Sequence, residues 1–182
     1  MTSKLPSRYP MLSIGLHWLM LLLIAAAYCF IELREWFPKG SDTRSLFKSL
    51  HYMMGLSVLF LVGLRILLRL LIRVPAIEPL PSYWNRLASA GVHVLLYAFM
   101  IAMPMLGWLL LSSEGESIRY FGLPLPALLN ENAQRAEQIE EIHEALGEFG
   151  YFLIGAHALA ALLHHYWFKD NTLKRMLPWP LK

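Results

Sequence analysis

Four long apolar stretches alternate with shorter polar segments along the chain. They cover residues 11–31, 50–72, 87–111 and 149–168, and each is near the roughly 20 residues that a helix needs to cross a bilayer. Three of them carry no charge, and the stretch 50–72 is apolar except for two arginines. The pattern predicts an all-α, integral membrane four-helix transmembrane bundle that forms one membrane domain over residues 1–182.

The segments between the spans add detail to this picture without adding a second domain. Residues 74–84 are rich in proline, which favours a stiff, non-helical link. Residues 131–148 are rich in Ala and Glu, which predicts a helix that extends the fourth span outward. The fourth helix is therefore expected to be longer than the bilayer is thick.

Composition agrees with a membrane protein and excludes several other classes. The chain is 57% hydrophobic and 16% charged, with a mean hydropathy of +0.45, whereas soluble domains are about 25% charged. The net charge of +3 does not indicate nucleic acid binding, because the basic residues are scattered at span ends. The single cysteine, Cys29, excludes a disulfide framework and a cysteine-cluster metal site.

The distribution of charge predicts how the bundle is oriented. Four spans place both termini and the 73–86 connection on one side, and ten of the sixteen Lys and Arg residues lie there or at its border. The other side, formed by 32–49 and 112–148, carries eleven of the thirteen acidic residues. The positive-inside rule therefore predicts that both termini are cytoplasmic.

Four of the seven histidines lie inside uncharged stretches, where ionisable side chains are rare and usually functional: His17, His93, His157 and His164. Any one of them could instead make a hydrogen bond between helices. For His93 we expect that interhelical bond.

Spacing along the chain groups the histidines into two pairs. His143 and His157 are 14 residues apart on one predicted helix, which separates them by about 21 Å and keeps them within about 40° of one face. His17 lies near the inner end of the first span, and His51 near the outer end of the second. Depth therefore matches His17 with His157, the inner pair, and His51 with His143, the outer pair.

Two opposed imidazoles indicate a particular kind of metal centre. Zinc and copper sites use three or four clustered ligands, whereas two facing histidines suit the axial positions of six-coordinate haem iron. Bis-histidine ligation closes both axial positions, which favours electron transfer. Gly55 and Gly147 follow the outer pair's histidines by one turn and either make room for a porphyrin or let helices pack closely.

Several motifs resemble the bacterial cytochrome b561 family over nearly the whole chain. They are LHW in the first span, LHYMMGLSV in the second, EIHEALGEFGYFLIG before the fourth, and GAHALAALLHHYWFKDNTLKRMLP at 155–178. The resemblance implies two haem b groups, with His17, His51, His143 and His157 as iron ligands. The likeness is greatest to the family's small superoxide-oxidising members.

That likeness implies oxidation of superoxide at the periplasmic face and electron transfer through both haems to ubiquinone near the cytoplasm. Arg44 and Lys48 precede His51 at helical spacing, so they could steer a small anion toward the outer haem. They could equally be snorkelling residues at a solvated helix start.

For the quinone side, the candidates are His164, His165 and Lys169, because histidine can relay the protons that quinone reduction consumes. The two histidines could instead form a polar belt with Tyr166 and Trp167.

Two other functions stay open at this point. Related four-helix dihaem proteins are membrane-anchor subunits that relay electrons between a hydrogenase or dehydrogenase partner and the quinone pool. A haem-free structural membrane protein is the third possibility. The superoxide-oxidising function requires superoxide, ubiquinone and the lipid bilayer. A protein partner is possible for it but not required.

Overall fold

Four long helices make up most of the protein. The computed structural model describes residues 8–179, so Lys4 and Lys182 of the charge count lie outside the described residues. The helices are α1 (Met11–Arg34), α2 (Asp42–Leu71), α3 (Tyr83–Ser113) and α4 (Ala133–Tyr166). All four are long and apolar enough to span a membrane, as predicted, and α4 runs unbroken from the expected outer extension into the span.

Short polar side chains set where three of the helices begin. Ser41, Ser82 and Asn132 precede α2, α3 and α4, and each side-chain oxygen accepts a hydrogen bond from a backbone N–H of the first turn. Such caps satisfy donors that have no partner within the helix. The start of α2 at Asp42 places Arg44, Lys48 and His51 on one helix, as the sequence predicted.

Many large apolar side chains are exposed on the outside of the bundle, as expected where lipid replaces water as the solvent. Some of the buried residues form two small clusters, one around Met20, Val58 and Val62 and the other around Leu56 and Leu111. Cys29 is also exposed on α1, so it does not pack inside the bundle.

The helices do not pack evenly against one another. α1 packs closely on α2, α2 on α3, and α3 on α4. By contrast, few backbone positions of α4 come close to α1 or α2. The side of α4 that faces α1 and α2 therefore stands off from them, and this is the region where the histidine pairs lie.

A small antiparallel hairpin follows α3, which the sequence analysis did not predict. Its strands are β1 (Arg119–Tyr120) and β2 (Leu123–Pro124), joined through Gly122 at a positive φ of 87°. The hydroxyls of Tyr120 and Ser57 lie 3.1 Å apart, and Tyr120 packs on Phe60. The hairpin is therefore held against the side of α2.

The residues after α4 form a strap across the end of the bundle that holds the inner pair. Trp18 of α1 donates to the carbonyl of Met176 at 2.8 Å, and the Tyr9 amide donates to the carbonyl of Arg175. Arg175 is buried and donates to the carbonyl of Pro75. The KDNTLKRM motif therefore ties the start of α1, the 72–82 link and the end of α4 together.

Candidate functional site

The structure brings the histidines together as the depth argument pairs them. The ring centres of His17 and His157 are 6.2 Å apart with an interplanar angle of 72°. The ring centres of His51 and His143 are 6.1 Å apart with an angle of 79°. One helix, α4, thus contributes a histidine to each pair, while α1 and α2 supply the partners.

This spacing fits a shared metal between the two rings. An imidazole nitrogen binds a first-row metal at about 2.0 Å, as zinc–histidine distances illustrate, and the ring centre lies about 1.1 Å further, so two rings sharing one metal have centres about 6.2 Å apart. Within residues 8–179, no three His, Cys, Asp or Glu side chains cluster to hold a metal by themselves. The sites therefore suit a cofactor that brings its own equatorial ligands.

His51 is oriented in the way that metal-binding histidines usually are. Its Nδ1 lies 2.8 Å from the carbonyl oxygen of Ala27, so it carries the proton and donates. That bond leaves Nε2 unprotonated and available as a ligand, and it fixes the rotation of the ring. The α1 backbone therefore orients a histidine that belongs to α2.

His93 stands beside the inner pair but is not paired as expected. Its ring centre is 5.3 Å from that of His157, and its Nδ1 lies 2.6 Å from the carbonyl of Ser89 in the same helix. The predicted interhelical hydrogen bond is therefore wrong, because the partner lies one turn earlier in α3. Arg65 of α2 donates to the carbonyl of Ser13 in α1 at 3.4 Å.

The two glycines near the outer pair lie against α3. A Cβ at Gly55 would lie 3.9 Å from Pro104, and one at Gly147 would lie 3.6 Å from Met103, so both face α3. Gly107, which the sequence analysis missed, faces His143 itself. A Cβ at Gly107 would lie 3.5 Å from Cε1 of the His143 ring. Its signal was a glycine inside an otherwise bulky apolar run.

Arg44 is held in ion pairs and hydrogen bonds at the outer end. Arg44 binds both carboxylate oxygens of Glu35 at 2.8 and 3.0 Å and donates to the carbonyls of Arg34 and Phe37. The hydrogen bonds from Arg44 and then Arg34 hold the pKa of Glu35 below its ordinary value. Arg44 therefore clasps the loop between α1 and α2.

Lys48 is shared between two carboxylates that follow α3. Its ammonium lies 3.0 Å from Glu114 and 2.9 Å from Glu116. The local charge of this group is therefore net negative, a feature that the spacing of cations along α2 does not reveal. The positions agree with the predicted helical alignment, but the pairing changes the electrostatics of the outer end.

At the other end, a turn after α4 brings an acid onto a predicted histidine. Lys169 adopts a positive φ of 56°, and the Asp170 amide donates back to the carbonyl of His164, which is a common way to end a helix. The Asp170 carboxylate then lies 2.5 Å from Nδ1 of His164 and is buried. The Lys169 side chain is exposed, and the buried Nδ1 of His165 makes no hydrogen bond.

Asp170 is a functional candidate that the sequence places close behind the two histidines without giving it a role. Burial raises its pKa, but hydrogen bonds from His164 and Thr172 outweigh burial and hold the pKa below its ordinary value. Asp170 also lines a cleft of about 420 Å³, together with Phe168 and residues 79–82 and 85. The hydrogen-bonded pair of His164 and Asp170 thus lies beside a cleft at the end of α4.

A bundle of four membrane helices with two separate pairs of facing histidines defines a membrane haem protein. The chain belongs to the prokaryotic cytochrome b561 family, whose family model matches residues 8–179. It is accordingly a multi-pass electron-transport protein of the bacterial inner membrane, and the family binds haem b.

Three relatives support this membership. The chain is 41% identical to "Cytochrome b561 homolog 1" of Escherichia coli over 94% of this chain and 98% of that protein. It is 42% identical to "Probable superoxide oxidase CybB" of Yersinia pestis over 94% and 96%. It is 32% identical to "Cytochrome b561 homolog 2" of Escherichia coli over 94% and 92%.

Proposed function

We propose that this protein oxidises superoxide to dioxygen at the periplasmic face and passes the electrons through two bis-histidine haems to ubiquinone near the cytoplasm. The observation that carries the proposal is the two His–His pairs, whose α4 members are 14 residues apart, each with a ring spacing that fits one shared iron. The similarity to a probable superoxide oxidase adds the substrate.

The proposed ligands are His17 and His157 for the inner haem, and His51 and His143 for the outer haem. Haem iron, when bound, supplies a one-electron redox centre whose potential the axial ligands and burial adjust. Two superoxide ions deliver two electrons, and ubiquinone takes up both electrons with two protons to become the quinol. The chain's own residues hold the iron, admit the anion and supply the protons.

Proton supply is the proposed role of the buried pair at the inner end. The contact between His164 and Asp170 lies beside a cleft that also reaches Phe168, a ring suited to pack on a quinone. Histidine can carry a proton near neutral pH, and its carboxylate partner keeps it oriented. His165 and Lys169 are placed on the same turn and stay candidates for contact with the quinone.

Rapid mixing of the purified protein with a superoxide generator tests this function. We expect the haem absorption to shift to the reduced form, and we expect added ubiquinone to reoxidise it. Superoxide dismutase in the same mixture should abolish the reduction, because it removes the donor. Haem reduction that persists with dismutase would show that another reductant supplies the electrons.

Lys48 tests the entry of superoxide better than Arg44 does, because Arg44 also clasps a loop. A unit charge about 10 Å from the path of the anion changes its energy enough for about a twofold rate change in water. We therefore expect Lys48→Gln to slow haem reduction by superoxide about twofold at low salt. The rate should also rise more steeply with ionic strength than in the wild type, because salt screens the repulsion from the two carboxylates that remain.

The matched control for Lys48→Gln is Glu116→Gln, which removes the opposite charge from the same ion pair. It should speed the same step by a similar factor. Equal rates in Lys48→Gln, Glu116→Gln and the wild type would mean that this cluster does not steer the substrate.

The proposed orientation places both termini in the cytoplasm. A protease added to intact spheroplasts is expected to reach the segment 114–132, which contains the hairpin, and to spare the strap at 167–179. Cleavage of the strap from outside would invert the orientation and exchange which histidine pair meets which substrate.

The exposed acidic face of α4 favours a second candidate function, a membrane-anchor cytochrome that relays electrons from a protein partner to quinone. The acidic side chains of this face lie on the outer part of the helix and are exposed: Glu137, Glu140, Glu141, Glu144 and Glu148. A basic electron donor could dock there. Purification with a stoichiometric partner would favour this candidate, and a red protein that purifies alone would favour the oxidase.

A further inference from the structure

Two consecutive residues of α1 connect the two helices that carry the outer pair. The carbonyl of Ala27 accepts the hydrogen bond from His51 of α2 at 2.8 Å. The hydroxyl of Tyr28 donates to the carbonyl of Gly147 in α4 at 2.7 Å. Because Gly147 lies one turn after His143, the same short piece of α1 is bonded to both sides of the outer pair.

A notch in α4 fixes the phenol of Tyr28 in place. Gly150 is buried, and a Cβ there would overlap the Tyr28 hydroxyl and the Phe99 ring, whose Cε2 would lie at 2.7 Å. At 100° per residue, Gly150 lies within about 20° of the face that carries both His143 and His157. Tyr28 and Phe99 therefore fill the space on that face between the two histidine pairs.

The hydrogen bond from Tyr28 constrains the turn of α4 that follows His143. The position of a backbone carbonyl one turn after His143 is coupled to the height and rotation of that part of α4. The bond from His51 to Ala27 fixes the other ring in the same way. The planes of the two rings make an angle of 79°. Both hydrogen bonds therefore tie this relative orientation to α1.

We propose that Tyr28 is a positioning residue for the outer haem, which sets the orientation of His143 relative to His51 through its hydrogen bond to Gly147. The proposal rests on the proposed function, since it assumes a haem between His51 and His143. It assigns Tyr28 no electron-transfer or proton-transfer step. Tyr28 therefore affects the geometry of the axial ligands at the outer iron and leaves the inner iron unaffected.

The test compares Tyr28→Phe with Tyr151→Phe in the purified, haem-loaded protein. Tyr151 is a matched control, because its ring packs on Tyr28 at 4.3 Å while its hydroxyl donates to Glu32 at 2.9 Å on the exposed side. The readouts are the low-spin electron paramagnetic resonance signals of the oxidised haems, which report the angle between axial ligand planes, and their midpoint potentials.

We expect Tyr28→Phe to retain both haems and to shift the signal and the potential of the outer haem alone. Tyr151→Phe should match the wild type in both readouts. The outer signal is assigned by comparison with His157→Ala, which is expected to lack the inner haem. Phe99→Leu removes part of the packing against Gly150 but keeps the Tyr28 hydrogen bond. It should lower thermal stability without shifting the signal of the outer haem.

An outer haem in Tyr28→Phe that is unchanged from the wild type would overturn the proposal. Equal shifts of both haems, or the same shift in Tyr151→Phe, would also overturn it, because they would show general packing. The haem content of His143→Ala, measured in parallel, distinguishes a failure of the proposed haem site from a failure of the positioning role. If that variant keeps two haems, the proposed haem site itself is wrong; if it loses one, an unchanged Tyr28→Phe refutes only the positioning role.

Discussion

Replacing His157 with alanine is expected to leave the purified protein with about one haem per chain instead of about two, because the inner iron loses an axial ligand. His17→Ala should act on the same haem, and His51→Ala and His143→Ala on the outer one. The measurement is the haem-to-protein ratio, together with the redox titration that identifies which haem remains. Steady-state superoxide oxidation should fall to the background in each variant, since the path to quinone is broken.

His93→Ala is the matched control for the inner site, because its ring lies beside that of His157 yet bonds within its own helix. It should retain both haems. Loss of a haem in His93→Ala, with both haems retained in His17→Ala, would make His93 the second ligand in place of His17. Two haems retained in His157→Ala would contradict the inner site altogether.

Asp170→Asn is expected to have the second large effect, on stability and on quinone reduction together. It removes a buried carboxylate that accepts hydrogen bonds from His164 and Thr172. Hydrogen bonds to charged groups contribute about 1.5–3 kcal/mol each, so thermal unfolding in detergent should begin several degrees lower. Reoxidation of the reduced haems by ubiquinone should slow, while their reduction by superoxide should not.

The pH dependence of stability provides a further readout for Asp170. Because its folded pKa is lowered, its contribution is fully present above the ordinary aspartate pKa and is lost as the pH falls through the lower folded value. Asp170→Asn should therefore flatten the acid limb of the stability profile. Asp42→Asn, an exposed carboxylate in the first turn of α2, should change stability by less than about 1 kcal/mol.

If Asp170→Asn leaves both stability and quinone reduction unchanged, the pair with His164 has no role at the inner end. Loss of stability with an unchanged rate of reoxidation would restrict Asp170 to holding the strap. That second result would leave His165, with its buried and unbonded Nδ1, as the histidine to test for proton delivery.

The spans and the histidine pairs could be predicted because they depend on helix length, helix periodicity and depth in the membrane. Bilayer thickness sets the length of an apolar run, and the 3.6-residue repeat places His143 and His157 on one face of α4. Matching depths then paired them with His17 and His51. This reasoning needs no knowledge of how the helices pack.

The structure departs from these predictions where contacts join distant parts of the chain. Lys48 meets Glu114 and Glu116 only because α2 and the end of α3 lie side by side. Asp170 reaches His164 through a turn at Lys169, a residue type that rarely adopts a positive φ. The hairpin at 119–124 has strands of two residues, too short for a periodic pattern to predict.

The oxygen yield per superoxide tests the central claim most directly. Dismutation converts two superoxide ions into one dioxygen and one hydrogen peroxide, whereas oxidation by this protein converts both into dioxygen and transfers both electrons to ubiquinone. With protein and ubiquinone present, a known amount of superoxide is therefore expected to release about twice the oxygen that dismutase releases, with one quinol formed per two superoxide ions and little peroxide. An oxygen yield equal to that of dismutation, with a full yield of peroxide and no quinol, would contradict it.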